Sequence, residues 1–176
     1  KIYGYLNKKE RLDFLLTIKN AFIDLSFNQV GTFPIQGVIE QCQTKSEEKF
    51  ITSLVKPRLM NFCQDPCGTH VIEKIISSFE QEFISFIIDF LLDNFLPLAN
   101  HLSGICVIKK LVSAPKQEKV LVQIKKILTE NIVNLINHPY ANQALQAAIQ
   151  SWDIPHLVEI HSFFEGSNKI FFFIFY

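Results

Sequence analysis

The stretch CGTHVIEKII, Cys67–Ile76, sets Thr69, His70 and Glu73 on a segment whose apolar residues are Val71, Ile72, Ile75 and Ile76. Counted from Gly68, the apolar residues fall at offsets three, four, seven and eight, which is one stripe of an α-helix. The polar residues fall at offsets one, two and five. Offsets one and five lie one helical turn apart on one face, and offset two lies about 100° round from offset one. A helix here buries its Val and Ile and is expected to leave the three polar side chains along its exposed edge. Cys67 and Gly68 read as the turn that starts it.

The same arrangement returns three times. FIDLSFNQVGTFPIQGVI from Phe22, LMNFCQDPCGTHVIEKII from Leu59, FLPLANHLSGICVIKKLV from Phe95 and IVNLINHPYANQALQAAI from Ile132 each carry a small residue nine positions after their start. These residues, Gly31, Gly68, Gly104 and Ala141, stand 37, 36 and 37 residues apart. The stripe recurs as Pro34, Ile35, Val38 and Ile39, then as Val107, Ile108, Leu111 and Val112, then as Ala144, Leu145, Ala148 and Ile149. Pro34 is tolerable because it falls in a first turn. Equal spacing with a matching pattern is the mark of a repeat architecture.

A short helix precedes each small residue and ends at a turn such as QDPCG or NHPYA. A third, amphipathic helix links the repeats: SEEKFITSLVKP, EQEFISFIIDFLLD and KQEKVLVQIKKILTE, whose polar or acidic starts suit a helix N-terminus. A three-helix unit cannot bury its stripe alone, whereas stacked units make one continuous core. The fold class is therefore all-α, an α-solenoid of three-helix repeats of about 36 residues. Full repeats are placed at 9–44, 45–79, 80–115 and 116–151, with a partial repeat at 152–176 opened by SWDIPHLVEIHSFFEG, and residues 1–21 read as linking helices before the first full unit. The whole of 1–176, opening at Lys1, reads as a fragment of one repeat domain.

Composition narrows the function. The chain is 48% hydrophobic and 19% charged, which suits a packed core rather than a disordered segment. Seventeen Lys and Arg balance seventeen Asp and Glu, so net charge gives no bulk attraction to nucleic acid or to an anionic membrane, although a local basic face remains open. The apolar run FISFIIDFLLDNFLPLA is interrupted by Asp89, Asp93 and Asn94, and no membrane contact is expected. The terminal KIFFFIFY reads as a truncated or foreign edge. Cys42, Cys63, Cys67 and Cys106 read as reduced core or site residues rather than a disulfide framework.

Cys63, Cys67 and His70 have a spacing that invites zinc. In the repeat register, however, Cys63 falls on Ser26, Ala99 and Ile136, a packing slot, and Cys67 falls on Val30, Ser103 and Tyr140. No metal and no cofactor are expected. There is no Gly-rich phosphate loop, no HExxH and no nucleophile with an identifiable base, so an enzyme is not expected either. His101 and His138 read as hydrogen-bonded turn residues, Thr69 alone reads equally as a helix cap, and the scattered Asp and Glu of the linking helices read as a solvated face.

The three polar offsets hold Thr32, Phe33 and Gln36; Thr69, His70 and Glu73; Ile105, Cys106 and Lys109; and Asn142, Gln143 and Gln146. Two of these sets place hydrogen-bonding groups at offsets one and five with a flat ring at offset two, as suits reading a base edge and stacking on its face. GTHVIEKII, GICVIKKLV and ANQALQAAI, with the preceding turn NHPYAN, resemble the base-reading helix of the Pumilio (PUF) family over roughly residues 14–165. The resemblance implies a right-handed α-α superhelix that binds single-stranded RNA as a monomer, one base per repeat. It implies that Asn142 and Gln146 read uracil, Thr69 and Glu73 guanine, and Thr32 and Gln36 adenine. Phe33, His70 and Gln143 would stack. Ile105, Cys106 and Lys109 match no usual set, so that slot is expected to accept any base, with Lys109, Lys74 and Lys110 placed to reach phosphate. Since the family binds RNA antiparallel to the chain, the segment would read 5′-U-N-G-A-3′. The family further implies cytoplasmic binding of messenger RNA in 3′ untranslated regions, with repression or decay through recruited effector proteins. Two alternatives stand beside it: a HEAT- or armadillo-type protein scaffold, and a divergent nucleolar branch of the same family serving ribosome biogenesis.

Overall fold

A computed structural model of the chain describes residues 2–115 and 117–165. The run KIFFFIFY lies outside the described residues. After a 3₁₀ turn at Ile2–Tyr5 come α1 (Lys8–Ser26), α2 (Thr32–Glu40), α3 (Lys45–Val55), α4 (Leu59–Gln64), α5 (Pro66–Ser78) and α6 (Gln81–Asp93). They are followed by α7 (Phe95–Ala99), α8 (Gly104–Ser113), α9 (Glu118–Glu130), α10 (Ile132–Asn137), α11 (Asn142–Ser151) and α12 (Ile154–Glu165). No strand occurs among the described residues.

Three helices per repeat hold for α3–α4–α5, α6–α7–α8 and α9–α10–α11. The first repeat departs from this. Its linking and short helices are fused into the single α1: the place that Arg58 (after Pro57), Asn94 and Asn131 hold between the two helices elsewhere is held here by Ala21, a strong helix former. The chain forms two compact units that divide between Leu91 and Leu92. In the first, α2 packs along α5; in the second, α8 packs along α11.

The apolar stripe is the core. Val71, Ile72, Ile75, Ile76, Val107, Ile108, Leu111, Val112, Ala144, Leu145 and Ala148 are all buried, as are Ile35, Val38 and Ile39. Pro34 is exposed in the first turn of α2 and Ile149 is half-buried, so two stripe positions contribute less. The small residue serves close packing. A Cβ on Gly68 would stand 2.7 Å from the Phe62 carbonyl oxygen, and one on Gly104 would stand 2.5 Å from that of Leu98. α5 and α8 each lie against the last turn of the short helix before them, so no side chain fits between. No glycine among the described residues has positive φ.

Helix starts are set by side-chain caps. Asn7 and Glu10 form a reciprocal capping box on α1. Thr44 accepts from the Glu47 amide at the start of α3. The turn reading of Cys67 and Gly68 is corrected: α5 begins at Pro66, capped by Asp65, whose Oδ1 accepts from Cys67 N and Gly68 N at 2.8 Å each. An Asp cap followed by Pro at the first helical position is a favourable start that lies two residues ahead of the glycine.

A second correction concerns the linking-helix acids. Glu47 and Glu48 are buried, not solvated. Glu47 accepts from Arg11 Nε at 2.8 Å, Tyr3 Oη at 2.6 Å and Thr44 Oγ1 at 2.6 Å, and Arg11 itself donates to Leu6 O at 2.7 Å. Glu48 accepts from the Glu80 amide at 2.9 Å, just ahead of α6. Each acid ties a linking helix to a neighbouring segment. Among the described residues no helix is long and apolar enough to cross a membrane.

Candidate functional site

Offset one is not exposed. Thr69 and Thr32 are 1% and 3% accessible and Ile105 is 2%; only Asn142 is half-buried. The close approach enforced by the preceding glycine turns offset one into the seam beside the neighbouring chain segment. Thr32 Oγ1 donates to Cys67 O, in the next repeat, at 3.4 Å. Thr69 Oγ1 donates to Pro66 O at 2.9 Å. Thr69 is therefore neither an N-cap, a role held by Asp65, nor an outward-facing group.

Offset two is the outward position of the first unit. Phe33 is 70% accessible, a large apolar ring left in water on α2, and His70 is exposed on α5, which packs along α2. In the second unit Cys106 and Gln143 are half-buried.

Offset five differs from repeat to repeat. Gln36 Nε2 donates to Thr32 Oγ1 at 3.1 Å. The Glu73 carboxylate lies 3.7 Å from His70 Nδ1, which is an ion pair only when the imidazole is protonated. Lys109 Nζ donates to Gln143 Oε1 at 3.1 Å, reaching offset two of the next repeat. Asn142 and Gln146 are half-buried on one face of α11, and among the described residues neither amide side chain is hydrogen-bonded within the protein. Lys74 pairs with Glu40 of the preceding repeat at 3.3 Å rather than standing free, and Lys110 is half-buried.

The structure also shows a device that the polar offsets do not reveal. Three residues before each small residue stands a side-chain acceptor for two backbone N–H groups. Asn28 Oδ1 takes Val30 N and Gly31 N at 2.9 and 2.8 Å, and Asp65 does the same for α5. His101 Nδ1 takes Ser103 N and Gly104 N at 3.2 Å each, and His138 Nδ1 takes Tyr140 N and Ala141 N at 3.2 and 3.3 Å. Both histidines hold their turns, as read from the sequence, and both must be neutral with the proton on Nε2 to do so. The equivalence with Asn28 and Asp65 is visible in the repeat register as a fourth polar column.

Cys63 is fully buried, and burial pushes its thiol up to about 12, in keeping with a packing slot. Among the described residues no three His, Cys, Asp or Glu side chains are grouped so as to hold a metal ion.

No family model matches the chain. Individual proteins do. A Pumilio domain-containing protein of Schizosaccharomyces pombe is 25% identical over 166 residues, covering 93% of this chain and 24% of its own length. Putative pumilio homolog 8 of Arabidopsis thaliana is 26% identical over 159 residues, covering 87% of this chain and 30% of its own length. Among solved structures, PUF-8 in complex with PBE-RNA superposes with a TM-score of 0.80 at 17% identity, covering 88% of this chain and 45% of that one. The Puf4 RNA-binding domain bound to an HO endonuclease 3′ UTR recognition sequence gives 0.71 at 19% identity, covering 82% and 44%. The fold is the Pumilio repeat solenoid. The chain spans less than a third of these two curated relatives and under half of each of these two Pumilio domains. In the order of this fold, α2, α5, α8 and α11 are the last helices of the four repeats, and α3, α6 and α9 the linking helices.

Proposed function

We propose that the chain contributes four repeats to a sequence-selective, single-stranded RNA-binding surface, each repeat taking one base. The observation that carries this reading is the Asn142–Gln146 pair: two amides one turn apart on α11, hydrogen-bonded to nothing else in the described protein and at the offsets where the first two repeats also hold polar groups. Two such amides match the donor and acceptor of uracil's Watson–Crick edge. The water-exposed Phe33 and His70 supply flat faces for stacking, each worth about 1–3 kcal/mol per base.

The first unit would read G then A, through Glu73 and Gln36 respectively. Glu73 accepts from guanine N–H groups, and Gln36 acts with Thr32 behind it rather than beside it. The second unit would read U through Asn142 and Gln146. With the antiparallel polarity of the family, the order is 5′-U-N-G-A-3′. Binding in the 3′ untranslated regions of cytoplasmic messenger RNA, with repression or decay through recruited effectors, is the cellular role this reading supports.

The test is selection of RNA from a randomised pool by the purified protein and by Glu73→Gln. The substitution is expected to change preference at one base and leave the others. An unchanged profile sinks the base assignment. Absence of selective RNA binding by the wild-type protein sinks the reading itself and returns the row to a protein scaffold.

A further inference from the structure

A groove in the first unit is lined by no residue of α2 or α5, so it lies apart from the polar offsets. Leu59 and Met60 of α4 and Phe86 and Phe90 of α6 form its apolar part. Lys56 and Arg58, in the 3₁₀ turn between α3 and α4, stand beside them. Leu59 is buried and Met60, Phe86 and Phe90 are half-buried, whereas both cations are exposed: an apolar floor under a basic rim. No carboxylate lines the groove. Its volume of about 340 Å³ is at the small end for a ligand site, room for one anchoring side chain rather than for a large ligand.

The rim has no charge partner within the protein. Other lysines of this unit find acids: Lys45 pairs with Glu80 and Glu82, and Lys74 with Glu40. Among the described residues Lys56 and Arg58 have no carboxylate partner, and neither has Lys49. Lys49 and Lys56 are both exposed and stand seven positions apart, so they share one helix face and lie about 10 Å apart along the axis. A basic strip therefore runs from the groove back along α3.

We propose that this groove docks an acidic peptide segment of a partner protein through one large apolar residue, with Arg58, Lys56 and Lys49 pairing its carboxylates. The anchor fills the floor, where the flexible thioether of Met60 adapts to its shape. A carboxylate beside the anchor meets Arg58 or Lys56, and a second, about three extended residues further on, reaches Lys49. Single-stranded RNA would gain its apolar contact by stacking on an open ring face. The Phe86 ring carries the Lys56 ammonium over it, 5.2 Å from its centroid, so that face is taken. An apolar anchor entering the floor needs no such face. The proposal goes beyond the RNA reading and does not depend on it.

The experiment is selection of a random-peptide display library on the purified wild-type protein. The enriched peptides are then titrated against wild type, Lys56→Glu/Arg58→Glu, Met60→Gln and Lys19→Glu. Lys19 is exposed on α1, outside the groove, and controls for net charge. Expected are peptides with acids around one large apolar residue. They should bind at least about tenfold more weakly to the double variant and more weakly to Met60→Gln, with Lys19→Glu unchanged. Absence of that pattern among the enriched peptides overturns the proposal, as does undiminished binding by the double variant or by Met60→Gln. An equal loss in Lys19→Glu reduces the effect to bulk charge and overturns it too. Randomised-pool RNA selection on the double variant is expected to match wild type. A loss of RNA affinity across all sequences makes the cations phosphate contacts and overturns the peptide assignment. The RNA reading itself is judged separately, by Glu73→Gln.

Discussion

Gln36 Nε2 donates to Thr32 Oγ1 at 3.1 Å, so the pair proposed to read adenine in the first repeat is hydrogen-bonded to itself. Thr32 is fully engaged: it accepts from Gln36 and donates to Cys67 O of the following repeat. Its hydroxyl supports Gln36 and joins two repeats, and of the two only Gln36 is accessible. Asn142 and Gln146 show the other arrangement, with both amides open.

The two residues of this pair should therefore separate in experiment. Thr32→Val removes a buried hydroxyl that has two partners and is expected to cost about 1–3 kcal/mol of stability with little change in base preference. Gln36→Glu is expected to be stable and to move preference at its base from adenine toward guanine, by the acceptor logic of Glu73. Denaturation midpoints read the first effect and pool selection the second. Loss of base preference in Thr32→Val at unchanged stability would contradict the supporting role.

How much of this was legible in the sequence depends on the range of the interaction. The spacing of Gly31, Gly68, Gly104 and Ala141 and the stripe after each are local, and they gave the helices, the core and the repeat without a structure. Burial of Thr32 and Thr69 was not legible. A helical wheel gives the angle of a side chain but not how closely the adjacent segment approaches, and that approach is set by carbonyls six residues before each glycine. Glu47 and Glu48 were misread for a similar reason. An acid in a first turn has the same local pattern whether water or a distant Arg11 meets it. Asp65 caps α5 three residues ahead of the glycine, before the apolar stripe that marks the helix in the sequence begins.

The glycines give a stability prediction. In Gly104→Ala and Gly68→Ala the new methyl meets a backbone carbonyl, at 2.5 and 2.7 Å, which cannot rotate away. Each substitution is expected to destabilise by about 1–3 kcal/mol through overpacking, despite alanine's better helix propensity. Ala141, the equivalent in the fourth repeat, already carries a buried methyl. Ala141→Gly should cost only about 1 kcal/mol, mostly backbone freedom. Chemical denaturation of the three variants decides it; a neutral or stabilising Gly104→Ala would show that the two helices can part without penalty.

The paired acids predict opposite pH behaviour. Burial works to raise the Glu47 carboxyl, but hydrogen bonds from Thr44, Tyr3, Arg11 and the Gln43 amide outweigh it and hold the pKa below the ordinary value. Its contribution is present above the ordinary carboxylate range and is lost as pH falls through the folded-state value. Glu47→Gln leaves Arg11 buried without its counter-ion and is expected to cost about 3–5 kcal/mol near neutral pH, the gap to wild type closing as acid protonates Glu47. Burial raises the Glu48 pKa, so its sign reverses: it favours the folded state at low pH and loses that as pH rises through the raised value. Glu48→Gln keeps an acceptor for the Glu80 amide and is expected to match or exceed wild-type stability at neutral pH, with no advantage in acid. Stability measured across pH for both variants tests the signs; parallel curves would refute them.

The turn acceptors give the last prediction. His138 Nδ1 receives two backbone N–H groups, and the same place is held by Asn28 and Asp65 in other repeats. A side-chain oxygen there can replace the imidazole, so His138→Asn is expected to fall within about 0.5 kcal/mol of wild type. His138→Ala leaves the amides of Tyr140 and Ala141 without that acceptor and removes the edge contact with the Tyr140 ring, for a loss of about 1–2 kcal/mol. The turn immediately precedes Asn142, so loosening it also frees the first residue of the pair proposed to read uracil. Affinity for RNA carrying U at that base should then fall in His138→Ala and recover in His138→Asn. Equal behaviour of the two variants would show that the imidazole ring, not its acceptor, holds the turn.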